Sequence, residues 1–256
     1  MKRLLIPAIM FFLMAGPWSA GLFAAGDADN PVPFLQLPAG AKAIGLGGAF
    51  TALGADPTAA FYNPAVLARL QYGGVSITGT MLAMDRYHTA IAAALVSSNA
   101  GTGVRKVTGL SGTFVLVDGV EQHADASGTV LGTLVSSSGA LQFSRAFETP
   151  SKRNWAYAVT GIFDVQDDTR GYGVAAALGM DMLLPLGFRI SGVIRDLGFI
   201  RYADTWWLHP RISVAVSTIL LGADFPVTVQ YDYTFDVADS STLRIGFEWV
   251  MFSWKP

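Results

Sequence analysis

Charged side chains are scarce in this sequence, and several stand where ordinary surface charge would not. Arg189 in "GFRISGVIRD", Asp232 in "VTVQYDYTFD", and Arg244 and Glu248 in "LRIGFEWVM" each sit between large apolar neighbours, and Arg195 follows Ile194 on the same alternate positions as Arg189. Charges at that spacing share one face of an extended chain and must be paired or wet if the face turns inward. Two roles follow: a network bracing an interior, which the pairing of opposite signs favours, or a ring selecting solutes. Catalytic chemistry is not expected. His88, His123 and His209 are far apart, there is no H-E-x-x-H and no cysteine, so no metal site is expected. No G-x-S-x-G is present, and "EQHADAS" around His123 and Asp125 reads as a solvated turn. The "GLGG" of Gly45 to Gly48 lacks a preceding strand, a Walker lysine and the G-x-G-x-x-G spacing, so no nucleotide cofactor is expected. A net charge of −2 gives no electrostatic case for nucleic acid.

The elements that must hold these charges are strands. In "VTVQYDYTFD" Val227, Val229, Tyr231, Tyr233 and Phe235 oppose Thr228, Gln230, Asp232, Thr234 and Asp236. Leu243, Ile245, Phe247, Trp249 and Met251 likewise oppose Arg244, Gly246 and Glu248, and Phe188, Ile190 and Ile194 oppose Arg189, Ser191 and Arg195. Weaker alternation predicts strands at Gly74–Ala83, Tyr87–Val96, Val104–Val117, Thr129–Ala146, Trp155–Phe163, Gly173–Leu183 and Arg211–Leu220, ten in all. The stretches between them carry turn chemistry. Hydrophobic residues make up 52% and charged ones 14% of the chain, against roughly a quarter charged in a soluble domain. Much of the surface is therefore expected to meet something other than water.

The beginning supplies an address. Lys2 and Arg3, the apolar run Leu4 to Met14 and the small residues of "SAGLFAAG" form the three parts of a secretory signal peptide, residues 1–26, with cleavage after Gly26. Beyond it no apolar run is long enough for a membrane helix. For an exported apolar chain the remaining way to satisfy backbone groups in hydrocarbon is a closed β-barrel. The expected fold is thus all-β and transmembrane: an antiparallel up-and-down outer-membrane barrel of about ten strands over residues 72–256. An even count puts both chain ends on the periplasmic side. Tyr72, Tyr87, Trp155, Trp206, Trp207 and Trp249 fall near strand ends, as interfacial girdles do. Such a barrel would have outer-membrane lipid around it and the barrel assembly machinery as its folding partner.

Residues 27–71 read differently. Asp56-Pro57 and Asn63-Pro64 each place a capping residue before a proline suited to the first helical position, predicting two very short helices. Gly45, Gly47 and Gly48 allow a tight approach ahead of them. Irregular backbone of this kind is tolerated at membrane depth only inside a barrel, so the segment is expected to be a hatch in the lumen. Ile44, Leu46, Phe50 and Phe61 would give it an apolar lining, facing Arg189, Arg195, Asp232, Arg244 and Glu248 on the wall.

"GAKAIGLGGAFTALGADPTAAFYNPAVLARL" resembles the N-terminal motif of FadL-like outer-membrane barrels, more closely of their PorV/PorQ branch. The motif is a G-x-G-G-A-[FY]-x-A segment, an acidic residue, and an aromatic leading into N-P-A. Here these are Gly45 to Phe50, Asp56, Tyr62, and Asn63, Pro64 and Ala65. The resemblance implies a luminal hatch carrying Gly47, Gly48, Asn63, Pro64 and Ala65. For FadL-like proteins it implies passive uptake of small hydrophobic molecules such as fatty acids; for the PorV branch, a non-transporting accessory role with a secretion or surface-assembly partner.

Overall fold

The alternating stretches fold as antiparallel strands joined in chain order. The computed structural model describes residues 30–54, 56–83, 86–98, 104–123, 130–149, 151–166, 169–184, 187–220, 227–236 and 241–249. The leader assigned to residues 1–26 lies outside them. The strands are β1 (Gly74–Leu82), β2 (Arg86–Ser98), β3 (Arg105–His123), β4 (Val130–Glu148), β5 (Arg153–Gln166), β6 (Thr169–Leu183), β7 (Arg189–Arg201), β8 (Thr205–Trp207), β9 (Arg211–Leu220), β10 (Val227–Asp236) and β11 (Ser241–Trp249). All belong to one sheet. Its path runs β1-β2-β3-β4-β5-β6-β7-β9-β10-β11, with the short β8 folded back on β7. His123, read from sequence as part of a turn, ends β3 instead.

Closure departs from expectation. Among the described residues no ladder joins β1 to β11, so the sheet keeps two edges and is not a closed ring. The physical reason is that alternation reports which face of a strand is covered, whereas closure depends on the first and last strands meeting. Here the N-terminal segment reaches both of those strands: Pro57 lies against Gly74 of β1, and Leu46 and Ala49 lie against Gly246 of β11.

Side chains are distributed inside out relative to a water-soluble domain. Val75, Ile77, Leu95, Leu110, Leu141, Trp155, Leu178, Val214 and Phe247 project from the convex face and are exposed. Ser111, Thr113, Ser144, Asn154, Asp164, Asp181, Ser191, Ser213, Gln230, Asp232 and Thr234 are buried on the concave one. An exposed apolar band of this extent marks an interaction surface.

In β7 the alternation breaks to useful effect. Ser191 and Val193 face inward, and after Asp196 the inward positions become even-numbered, with Ile200 fully buried. Asp196 has φ 63°, the left-handed region that Asp tolerates better than most residues. The ladder with β6 slips between Ala176 and Leu178. This β-bulge brings both Arg195 and Asp196 to the interior.

The N-terminal segment fills the concavity. Its elements are a 3₁₀ turn at Pro33–Gln36, one helical turn at Ala41–Gly45, and 3₁₀ turns at Pro57–Phe61 and Pro64–Arg69. Asp56 and Asn63 cap the last two, accepting from Thr58 N at 2.8 Å and Ala65 N at 3.0 Å. Ala59, Ala60, Ala65, Val66, Leu67 and Ala68 form the main apolar core with Ala94, Val107, Ala146 and Ala156 of the wall. A second cluster packs Val32 and Phe34 against Val115, Ala140, Ile162, Ala175, Ile200 and Leu208.

Candidate functional site

Small side chains and short turns leave a space between this segment and the sheet. The cavity measures about 360 Å³. Its apolar lining is Phe34, Leu35, Leu37, Ile44 and Phe61 from the segment and Ala140, Ala175, Ala177 and Val193 from the strands, interspersed with Ser111, Thr113, Gln142 and Thr160. The charged lining clusters around Arg195 as a polar pole of Asp196, Arg211, Asp232 and Arg244, with Thr234 beside Arg244, so three guanidiniums stand with two carboxylates.

The polar groups are only partly satisfied by protein. Arg195 Nη1 donates to Phe61 O at 2.9 Å, while its Nε is buried without a hydrogen-bond partner among the described residues. Asp232 Oδ2 accepts from Thr51 N at 3.2 Å, and its Oδ1 is likewise buried and unpartnered. Arg244 Nη1 donates to Thr234 Oγ1 at 3.3 Å, which in turn meets Ser213 Oγ at 2.8 Å. Arg211 pairs with Asp196 and reaches Leu35 O. Buried charge left unpaired is costly, so this pole suits water or the polar end of a bound molecule. Tyr62, with its ring centroid 5.3 Å from that of Phe50, holds its hydroxyl on both backbone groups of Ala39. Burial pushes its phenol above the ordinary value, and the phenol stays neutral.

The residues singled out from sequence are not all brought together. Arg195, Asp232, Arg244, Phe61, Gly47, Gly48, Tyr62 and Pro64 line the cavity. Phe50 does not; it is wholly buried in the main core. Arg189 and Glu248 lie elsewhere on the wall: Glu248 pairs with Lys42 at 2.7 Å, and Arg189 with the buried Asp181 at 3.3 Å. Asp56, Asn63 and Ala65 shape the turns, while Gly45 ends the helical turn with no neighbour close to where a side chain would begin. Gly47 and Gly48 have φ 63° and 81°, and a Cβ on Gly48 would stand 3.2 Å from the Arg244 side chain.

Sequence reasoning missed Asp196, Arg211 and the Asp181 cluster. Two consecutive polar residues inside an alternating strand, Arg195-Asp196, were the available signal for the bulge. Asp181 accepts from Asn154 Nδ2 at 3.0 Å and Ser191 Oγ at 2.7 Å, and faces both Arg189 and Arg69. Arg69 also donates to Ala52 O at 2.7 Å. Burial, helped by repulsion from Arg189 and opposed by Asp181, pushes Arg69 down to about 10, leaving it charged at neutral pH. This cluster joins the last 3₁₀ turn to β5, β6 and β7. Among the described residues no group of three or more His, Cys, Asp or Glu is placed to hold a metal. No protein-family model matches the chain, and comparison with curated proteins and with solved structures gave no match.

Proposed function

We propose that this protein is an outer-membrane β-barrel of FadL-like type that passes small hydrophobic molecules such as fatty acids, with residues 27–71 as its hatch. The inside-out side-chain distribution carries the membrane part of the reading: an apolar convex face belongs in hydrocarbon and a polar concave face in a lumen. In lipid the free edges of β1 and β11 would be costly. Their equal lengths of nine residues suit an antiparallel closing ladder. The cavity carries the transport part. Its size lies in the range of small-molecule sites, its alanine-rich wall accepts an acyl chain, and its arginines accept a carboxylate.

Two variants test this. Ala175→Trp places an indole in the cavity and is expected to abolish uptake of a labelled long-chain fatty acid by cells lacking the endogenous transporter, while the folded protein still migrates faster unboiled than boiled in SDS. Unchanged uptake would refute passage through this space. Arg195→Gln removes a guanidinium from the polar pole and is expected to weaken binding of a fluorescent fatty acid about tenfold, the scale of one charged hydrogen bond.

A second reading, a non-transporting accessory barrel with a secretion partner, draws support from the density of polar ties between hatch and wall. Gln142 donates to Ala60 O at 2.8 Å and Asn63 to Met180 O at 3.1 Å, and Arg105 Nη2 holds Ala68 O. Wild-type protein that neither binds nor passes the fatty acid, yet co-purifies with a partner, would favour it.

A further inference from the structure

The convex face is not apolar throughout. The ladders place Ser97, Lys106, Phe147, Trp155 and Met180 in one outward row across β2 to β6. The next row inward from the strand ends is Leu95, Thr108, Arg145, Tyr157 and Leu178, and the third holds Ala93, Leu110, Phe143, Val159 and Ala176. Exposed Arg153 stands at the rim beside Lys152 of the following turn. Neither these rows nor the turn 149–152 contains an acidic residue, and Glu148, the acid nearest in sequence, is paired with Arg105.

Arg145 is the odd member. It lies three residues inside the end of β4, roughly 10 Å along the strand, with apolar rows beyond it. Its Nε is buried without a hydrogen-bond partner among the described residues. Phe147 and Trp155 stack beside it with centroids 4.2 Å apart and planes at 15°, and Tyr157 completes the aromatic group at 6.3 Å from Phe147. An arginine set into an apolar face needs an anion or a path to water. Aromatic rings at the same level mark where headgroups begin.

We propose that this patch is a binding site for an anionic phospholipid, its phosphate held between Lys106 and Arg145 and its acyl chains lying over Leu110, Phe143 and Val159. The site rests on the membrane reading above. In an even-stranded barrel this end of the strands, where the chain enters β1, faces the periplasm, and the leaflet there supplies the lipid. Arg145 contributes a planar fork for the phosphate oxygens, Lys106 a point charge, and Arg153 a second cation at the rim. The aromatic group covers the glycerol region, so the site is closed on one side by Trp155.

Trp155 is also the reporter. The full protein is reconstituted into vesicles containing phosphatidylglycerol or phosphatidylcholine with dibrominated acyl chains. The contribution of Trp155 is taken as the difference between wild type and Trp155→Phe. Brominated phosphatidylglycerol is expected to quench that component at a lower mole fraction than brominated phosphatidylcholine. Lys106→Gln and Arg145→Gln should each reduce the preference roughly fivefold. Equal quenching by the two lipids in inserted wild-type protein would overturn the site and leave the membrane reading standing. Absence of quenching of any tryptophan by either lipid would overturn both. Because the wild-type comparison is decisive alone, a variant that fails to insert does not shield the proposal.

Discussion

Replacing Asp181 with alanine is expected to lower stability by about 3 kcal/mol, the low end of the cost of removing one partner from a buried ionic cluster. The carboxylate is fully buried, while Arg69 and Arg189 keep 22% and 26% of their side-chain exposure, so water relieves part of the loss. Asn154, Ser191 and Arg189 lose an acceptor together, and Arg69, 4.0 Å away, loses its counter-charge. The two arginines, which already repel one another, are left facing. Urea unfolding in detergent, followed by tryptophan fluorescence, measures the effect. Asp181→Asn keeps the shape and an acceptor oxygen for Ser191 and should lose less. An unshifted midpoint for the alanine variant would remove this cluster from the account of how the segment is fastened.

The second large effect falls on the fit between hatch and wall. Gly179 is an inward position of β6, and a Cβ there would collide with Asn63 Oδ1 and stand 3.3 Å from the backbone nitrogen of Ala65. The neighbour is a capped turn whose amide also donates to Met180 O and Thr51 O, so it cannot swing aside freely. Gly179→Val is expected to push the Asn63–Ala65 turn off the wall. Overpacking of this kind costs about 1–3 kcal/mol, enough to raise the displaced population about 5- to 150-fold. In planar bilayers the variant should conduct correspondingly more than wild type, and Gly179→Ala should fall between them. Equal conductance of all three would show that this contact does not seal the path.

Much of this architecture was legible in the residues. Period-two alternation located the strands because one face of each is covered and the other is not. Asp56-Pro57 and Asn63-Pro64 announced their caps because the capping geometry is local. Arg195, Asp232 and Arg244 were marked for an interior because charge flanked by Tyr231, Ile194 or Ile245 has nowhere else to go. What stayed hidden depends on partners distant in sequence. Nothing near Asp181 announces Arg69, and nothing near Phe50 shows that it turns into the core and away from the cavity. Nothing in their own strands shows that Gly179 and Gly109 make room for side chains of the segment, Asn63 and Leu67 respectively. That β1 and β11 remain unpaired edges among the described residues belongs to no stretch of sequence at all.

The N-terminal segment touches the first strand and the last, and its bonds span most of the chain. Thr51 N reaches Asp232 across 181 positions, Arg211 reaches Leu35 O across 176 and Tyr202 reaches Pro31 O across 171. Such a piece is a spindle for the sheet, tying strands that lie far apart in the chain. Loss of the segment would therefore loosen early and late strands together, since Asp232, Arg211 and Tyr202 are each tied to it. Contacts of this separation make folding slow.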